Sequence, residues 1–166
     1  MYKIESIFKH KELDCVIIFT LSGHRCGYVG VTKDSPLFNI SYGEDLKKPE
    51  LLKELKQTKL DKRGIIPLFC WDREKVTPEI LFNVHGGITY SDKGCYPITR
   101  SYEIWWFGFD CAHLNDVKDK QAFASYFPDK ELSIYSFTSG SIRTHEYVKQ
   151  ECKNLAEQIL CVESTY

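Results

Sequence analysis

The sequence predicts an α+β domain: an antiparallel or mixed β-sheet packed against helices, with a long helix closing the chain. Three observations predict it. Apolar, β-branched and aromatic runs separated by turn residues fill the first two thirds of the chain. Val148, Cys152, Leu155, Ala156 and Ile159 form a stripe of helical period near its end. Strands grouped ahead of a terminal helix follow the α+β order rather than the alternating one. At 166 residues the chain fits one domain, residues 1–166.

The elements follow in order. Leu13 to Leu21 is an apolar strand, Ser22-Gly23-His24-Arg25 carries turn chemistry, and Cys26 to Val31 returns as the second arm of a hairpin. Asp34-Ser35-Pro36 ends it, because proline cannot donate to a ladder. Residues 45–58 read as a helix with Leu46, Leu51, Leu52 and Leu55 on one side. Pro49 fits only a first turn, which puts the start near Lys48. A charged loop is expected over 59–65. Glu79 to Val84 reads as a strand running into His85-Gly86-Gly87. Ile88 to Ser91 continues it or begins a neighbour, and Ser91-Asp92-Lys93-Gly94 reads as a turn. Tyr102 to Asp110 is an aromatic strand. Residues 114–131 are irregular, with a short helix near Lys118 to Tyr126, and Leu132 to Phe137 is β-like. Arg143 to Leu160 is the long helix, capped by Ser141 or Thr144.

Composition narrows the function. Hydrophobic residues make up 43% and charged residues 27%, ordinary for a soluble globular chain. A net charge of −1 excludes a general binder of long nucleic acid or of anionic membrane, yet leaves room for a small anionic ligand. The longest apolar run, Cys15 to Phe19, is too short to span a bilayer. Met1 to Lys11 lacks the basic and apolar regions of a secretory signal, so a cytoplasmic protein is expected. The seven cysteines are odd in number and form no Cys-x-x-Cys pair, which predicts reduced, buried thiols. Cys111 alone stands near a candidate base, His113.

Candidate chemistry lies in three places. The first is Trp105-Trp106-Phe107-Gly108-Phe109-Asp110-Cys111-Ala112-His113. Buried strands usually read as Val, Ile and Leu, whereas aromatic walls with polar groups at one end line small-molecule pockets. Asp110 is placed to orient His113. The second is His85-Gly86-Gly87, where tandem glycines let backbone amides approach an anion. The third is Ser139-Gly140-Ser141-Ile142-Arg143, small hydroxyls and a cation ahead of a helix. If the first two strands are neighbours, His85 and His113 face one cavity. Three chemistries stay open for them. They act as acid and base on a phosphodiester; they join Asp110 in a two-histidine, one-carboxylate metal site; or they hydrogen-bond a ligand whose base stacks on Trp105, Tyr90 or Phe107.

Several segments together resemble a family of small bacteriophage and prophage proteins. They are Cys26-Gly27-Tyr28-Val29-Gly30-Val31, Ser35-Pro36-Leu37, Val84-His85-Gly86-Gly87-Ile88-Thr89-Tyr90-Ser91, Trp105 to His113, Glu146-Tyr147-Val148 and Leu155-Ala156-Glu157-Gln158. The resemblance covers residues 26–160. The chain departs from the pattern at Asp34-Ser35-Pro36, where the family often has Gly-His-Pro, and at Leu114-Asn115-Asp116, where it has Ala-Gly-Asp. Ile80 to Asn83 replace acidic residues. The resemblance implies a role against host physiology or defence.

The expected function is therefore sequestration of a small nucleotide-derived signal, by a homo-oligomer that uses no cofactor and no metal. Trp105, Trp106 and Tyr90 wall the pocket. His85, the Gly86 and Gly87 amides and His113 meet the phosphates, with Asp110 beside His113 and Arg143 as a further cation. The rival is a metal-independent phosphodiesterase in which His85 and His113 are base and acid and Asp110 orients one of them. The third is a structural or protein-interaction domain.

Overall fold

A computed structural model describes residues 1–57, 68–69, 71–93, 103–133 and 139–166. Its main sheet has five strands in the order β1-β2-β3-β5-β4, every neighbouring pair antiparallel. These are β1 (Tyr2–His10), β2 (Leu13–Thr20), β3 (Arg25–Thr32), β4 (Tyr90–Lys93) and β5 (Ile104–Asp110). Helix α1 (Pro49–Gln57), the short α2 (Pro78–Leu81) and α3 (Lys120–Tyr126) interrupt the strands, and α4 (His145–Glu163) closes the chain. A small parallel pair, β6 (Asp116–Val117) and β7 (Ser141–Ile142), stands apart from the main sheet. The α+β expectation and the long terminal helix hold. Among the described residues, no helix is long and apolar enough to cross a membrane.

Glycines explain the aromatic strand. In the β3–β5 register Gly27 lies across from Phe109, Gly30 from Trp106, and Gly108 from Tyr28. A Cβ on Gly108 would stand 2.5 Å from the Tyr28 ring, and one on Gly27 would meet Phe109 at 2.5 Å. Each strand thus opens a gap where its neighbour carries a ring, and the two motifs interlock. Alternation sends Trp105, Phe107 and Phe109 to one face, where they pack with Cys15, Ile17, Val29 and Val31 against Val148, Cys152, Leu155 and Ile159 of α4. Full burial of a Phe side chain stabilises by roughly 1.5–3 kcal/mol, so this face supplies most of the core. Trp106 lies on the opposite face with Val16, Ile18 and Tyr28, and the half-buried Tyr90 packs beside them.

Some expectations need correction. Residues 79–84 do not form a strand; Pro78–Leu81 is one helical turn. Pro78 sits at its first position, where the missing N–H costs nothing. The Thr77 carbonyl accepts from Ile80 and Leu81 at 3.0 and 2.8 Å. Ser91, Asp92 and Lys93 are not a turn but part of β4, in register with Phe107, Trp106 and Trp105. The long helix starts at His145 rather than Arg143, capped by Thr144, whose Oγ1 accepts the Tyr147 N–H at 3.2 Å. Ser141 and Ile142 belong to β7 instead of a helix start. Strand β1 carried no signal in the sequence. It is an edge strand with exposed Lys3 and Lys9, the charged pattern that discourages edge-to-edge pairing. The expected loop at 59–65 and most of the expected strand at 132–137 lie outside the described residues.

Candidate functional site

The His-Gly-Gly segment and the end of the aromatic strand meet, and the group that joins them is Asp116. Its side chain is 0% exposed. His85 Nε2 lies 2.7 Å from Asp116 Oδ2, and the His113 backbone N–H donates to the same oxygen at 3.0 Å. Arg143 Nε donates to Asp116 Oδ1 at 2.7 Å. Burial alone would push this carboxyl up, but the hydrogen bonds from His113, His85 and Arg143 hold it far below the ordinary carboxylate range. Asp116 is therefore a fixed anion with three partners.

Each partner is delivered by a different part of the fold. His113 to Asp116 is a tight turn: the Asp116 N–H donates to the His113 carbonyl at 3.0 Å, and Asn115 takes the left-handed conformation at φ 72°. Asparagine tolerates that conformation better than most residues. Arg143 arrives through the parallel pairing of β6 with β7, which sets Asp116 across from Ser141. His85 sits on a loop stitched to α4. Its N–H donates to Glu151 Oε2 at 2.9 Å, and the Asn83 N–H donates to Gln158 Oε1 at 2.7 Å.

Gly86 makes the two histidines compatible. It has φ 69°, and a Cβ there would overlap the His113 ring. The rings of His85 and His113 meet edge to face at 5.5 Å. Gly87, at φ 85°, turns its N–H to the Val84 carbonyl at 3.0 Å. The tandem glycines thus make room for the second histidine, and the Gly87 amide is taken up within the turn.

The proton positions follow from the partners. Tyr147 Oη lies 3.0 Å from His85 Nδ1. Burial, reinforced by the nearby Glu151 charge, pushes the Tyr147 phenol up to about 12, so it keeps its proton. Asp116 only accepts, so His85 Nε2 carries hydrogen toward it, and Nδ1 is paired with the Tyr147 hydroxyl. Both nitrogens of His85 are engaged. His113 differs: its Nδ1 is buried without a hydrogen-bond partner among the described residues, 3.7 Å from Asp116 Oδ2 and 3.8 Å from Asp110 Oδ1. The Asp116 carboxylate raises the His113 pKa against the opposing effect of burial. Arg143 stacks over the Tyr147 ring, 5.0 Å from its centroid. Exposure grades across the cluster, from Asp116 through His85 at 12% and Arg143 at 27% to His113 at 32%.

The other expected residues fall into two groups. Asp110 Oδ1 accepts the Ala112 N–H and its Oδ2 accepts the Thr89 hydroxyl, both at 3.0 Å, so it caps the turn and borders His113. Tyr90 pairs with Gly108, two residues from Asp110, and meets Tyr28 edge to face at 5.6 Å. Alternation along β5 places Trp106 on the same face as Gly108 and Asp110. Trp105 is on the other face, in the helix-side core, with Nε1 donating to the Ile40 carbonyl at 3.0 Å. Cys111 is buried, and burial pushes its thiol well up, so it does not serve as a nucleophile beside His113. Ser139 and Gly140 precede β7, away from any helix start.

Sequence reasoning passed over three members of the cluster: Asp116, Tyr147 and Glu151. For Asp116 a signal existed, because the acid that ends Ala-Gly-Asp in the phage pattern stands at this position. No protein-family model, curated protein or solved structure matches the chain.

Proposed function

We propose that the chain binds and sequesters a small nucleotide-derived anion at the open rim of the Asp116 cluster. One observation carries the reading: Arg143 and His113, two partly exposed basic side chains, are held side by side by a carboxylate that is itself fully buried. Basic side chains fixed on a rigid support are a low-cost anion site, because they are ordered before the ligand arrives. The Gly87 amide is already bonded, so side chains rather than that amide meet the phosphate. The half-buried Tyr90 stands about 7 Å along the sheet from Asp110, within a nucleotide's reach, and stacking of a base on its ring is worth about 1–3 kcal/mol. Trp106 shares that face but is 2% exposed, so it belongs to the core rather than to a pocket wall.

The engagement of both His85 nitrogens favours holding over cleavage. A general acid or base needs a free nitrogen facing the ligand, and His85 instead braces Asp116 and Tyr147. The resemblance to phage proteins supplies the setting: a host-cytoplasmic sponge for an immune signal, acting as a homo-oligomer.

Calorimetry against cyclic dinucleotides and ADP-ribose derivatives tests this, followed by chromatography of ligand released from denatured protein. The expected result is saturable binding, lost in His113→Ala, with intact ligand recovered. Absence of binding across the panel overturns the proposal, and a cleaved product replaces it with the hydrolase reading. Light scattering of the purified chain tests the oligomer; a monomer removes that part.

A further inference from the structure

We propose that His85, His113 and Asp116 form a binding site for one divalent first-row transition-metal ion. The inference goes beyond anion binding and does not depend on it. One donor atom from each of the three residues lies within 4.8 Å of the others. Zinc-sized ions hold nitrogen and oxygen ligands at roughly 2.0–2.2 Å, which sets tetrahedral donors about 3.4 Å apart. The separations here, 2.7 Å from His85 Nε2 to Asp116 Oδ2 and 3.7 Å from that oxygen to His113 Nδ1, bracket this value.

Three further features point to a cation. His113 Nδ1 is buried and unpartnered among the described residues, beside two carboxylates. A buried polar atom left so is costly, and a metal at that point satisfies it. The outer partners are those that metal ligands use. Tyr147 holds the far nitrogen of His85, and Arg143 holds the far oxygen of Asp116, so Oδ2 faces the two rings. The Asp116 and Asp110 carboxylates draw the ion in against the Arg143 charge on the far Asp116 oxygen, and Asp110 Oδ1 stands 3.8 Å from His113 Nδ1 on the open side. Two imidazoles and one carboxylate suit Zn²⁺, Co²⁺ or Ni²⁺ rather than Mg²⁺ or Ca²⁺, which take oxygen ligands.

The exchange is balanced. The ion takes the place of the hydrogen between His85 Nε2 and Asp116 Oδ2. In a neutral ring that hydrogen is re-seated on Nδ1 through solvent with no net loss; in a protonated ring Nδ1 already carries one and the Nε2 proton leaves to solvent, as does any proton on His113 Nδ1. Either way His85 keeps one hydrogen, on Nδ1, and the Tyr147 hydroxyl accepts it without losing its own proton.

The test is titration of chelator-treated full-length protein with Co²⁺ alone, no nucleotide present, read by visible absorption and by ring signals of ¹⁵N-histidine-labelled protein. One equivalent per chain is expected, with broadening of the His85 and His113 signals while those of His10 persist. Zn²⁺ should displace the Co²⁺. His113→Ala should weaken binding at least tenfold. Tyr147→Phe should weaken it about tenfold, the usual effect of losing an outer-shell partner. Absence of a saturable site, binding that broadens His10 as much as His85 and His113, or binding that survives His113→Ala unchanged overturns the proposal. The broadening pattern needs no variant, so it decides the matter even where a substitution fails to fold. A negative result here leaves the anion-binding reading standing, since that is measured with metal-free protein.

Discussion

Two buried ionic clusters lie side by side at one end of the sheet, and they are built to different rules. Around Arg25 every guanidinium nitrogen has a partner. Its Nε and Nη2 donate to the two oxygens of Glu5 at 2.7 and 3.0 Å, and its Nη1 donates to Asp119 Oδ2 at 2.9 Å and to the Arg143 carbonyl at 3.1 Å. Tyr126 adds a hydroxyl to Glu5 at 3.1 Å. Side-chain exposure is 7% for Arg25 and 3% for Glu5. Around Asp116 the inner shell is as tight, but His113 keeps an unpartnered nitrogen and, like Arg143, reaches solvent. The clusters touch through the bond from Arg25 to the Arg143 carbonyl. A closed network fastens β1, β3 and α3 together; an open one, braced by that neighbour, leaves one buried histidine nitrogen without a partner among the described residues and two basic side chains partly exposed. Polar groups left wanting partners beside a satisfied scaffold mark a site of action more than a source of stability.

Breaking each cluster separately should show the difference. The largest effect belongs to Arg25→Met, which leaves Glu5 as a buried, unpaired carboxylate. A loss of about 3–5 kcal/mol is expected in urea unfolding, with ligand affinity of the remaining folded fraction little changed. Gly86→Ala comes next. It forces a side chain into the left-handed region and expels the His113 ring, costing about 2–4 kcal/mol. Unlike the first variant it should abolish ligand binding in the molecules that still fold. Thr144→Ala removes the cap of α4 and should cost about 1 kcal/mol in thermal or urea melts. It should also weaken binding modestly, because the first turn carries Tyr147.

The smallest effect is a change of slope. Burial pushes Asp119 up, but the Ala122 N–H and Arg25 outweigh it and hold the carboxyl below its ordinary value. The unfolded chain then binds the proton more readily than the folded one. Its contribution is present above about pH 4 and is lost as pH falls below that value. Asp119→Asn keeps the cap and removes the titration, so the acid limb of a stability–pH curve should flatten. It should not vanish, because Asp116 is held low as well.

Much of the fold was legible because it depends on local pattern. The β2–β3 hairpin announced itself through β-branched runs around Ser22-Gly23, and α4 through its stripe. The odd density of rings at 105–109 was also visible, but its cause was not. Only the β3–β5 register shows that Gly27, Gly30 and Gly108 lie across from Phe109, Trp106 and Tyr28. Half of what looked like a pocket wall is core for that reason. The site was half legible. His85, Gly86, His113 and Arg143 stood out as chemistry-bearing residues; the structure brings His85, His113 and Arg143 to one carboxylate and sets Gly86 against the His113 ring. The carboxylate itself was misjudged: Asp110, adjacent to the aromatic run, drew attention, while Asp116 was hidden behind an Asn turn. Tyr147 and Glu151 are separated from His85 by more than 60 residues, and no periodicity links an α4 face to a loop so distant in sequence.

The central claim is that two motifs make one site through Asp116. Histidine ring spectra of Asp116→Asn against the wild type test it most directly, since the substitution removes the charge and keeps the shape. The expected result is that the ring signals of His85 and His113 move together, while those of His10, paired with Glu157 on the far side of the chain, stay in place. Movement of His113 without His85, or of neither, contradicts the claim.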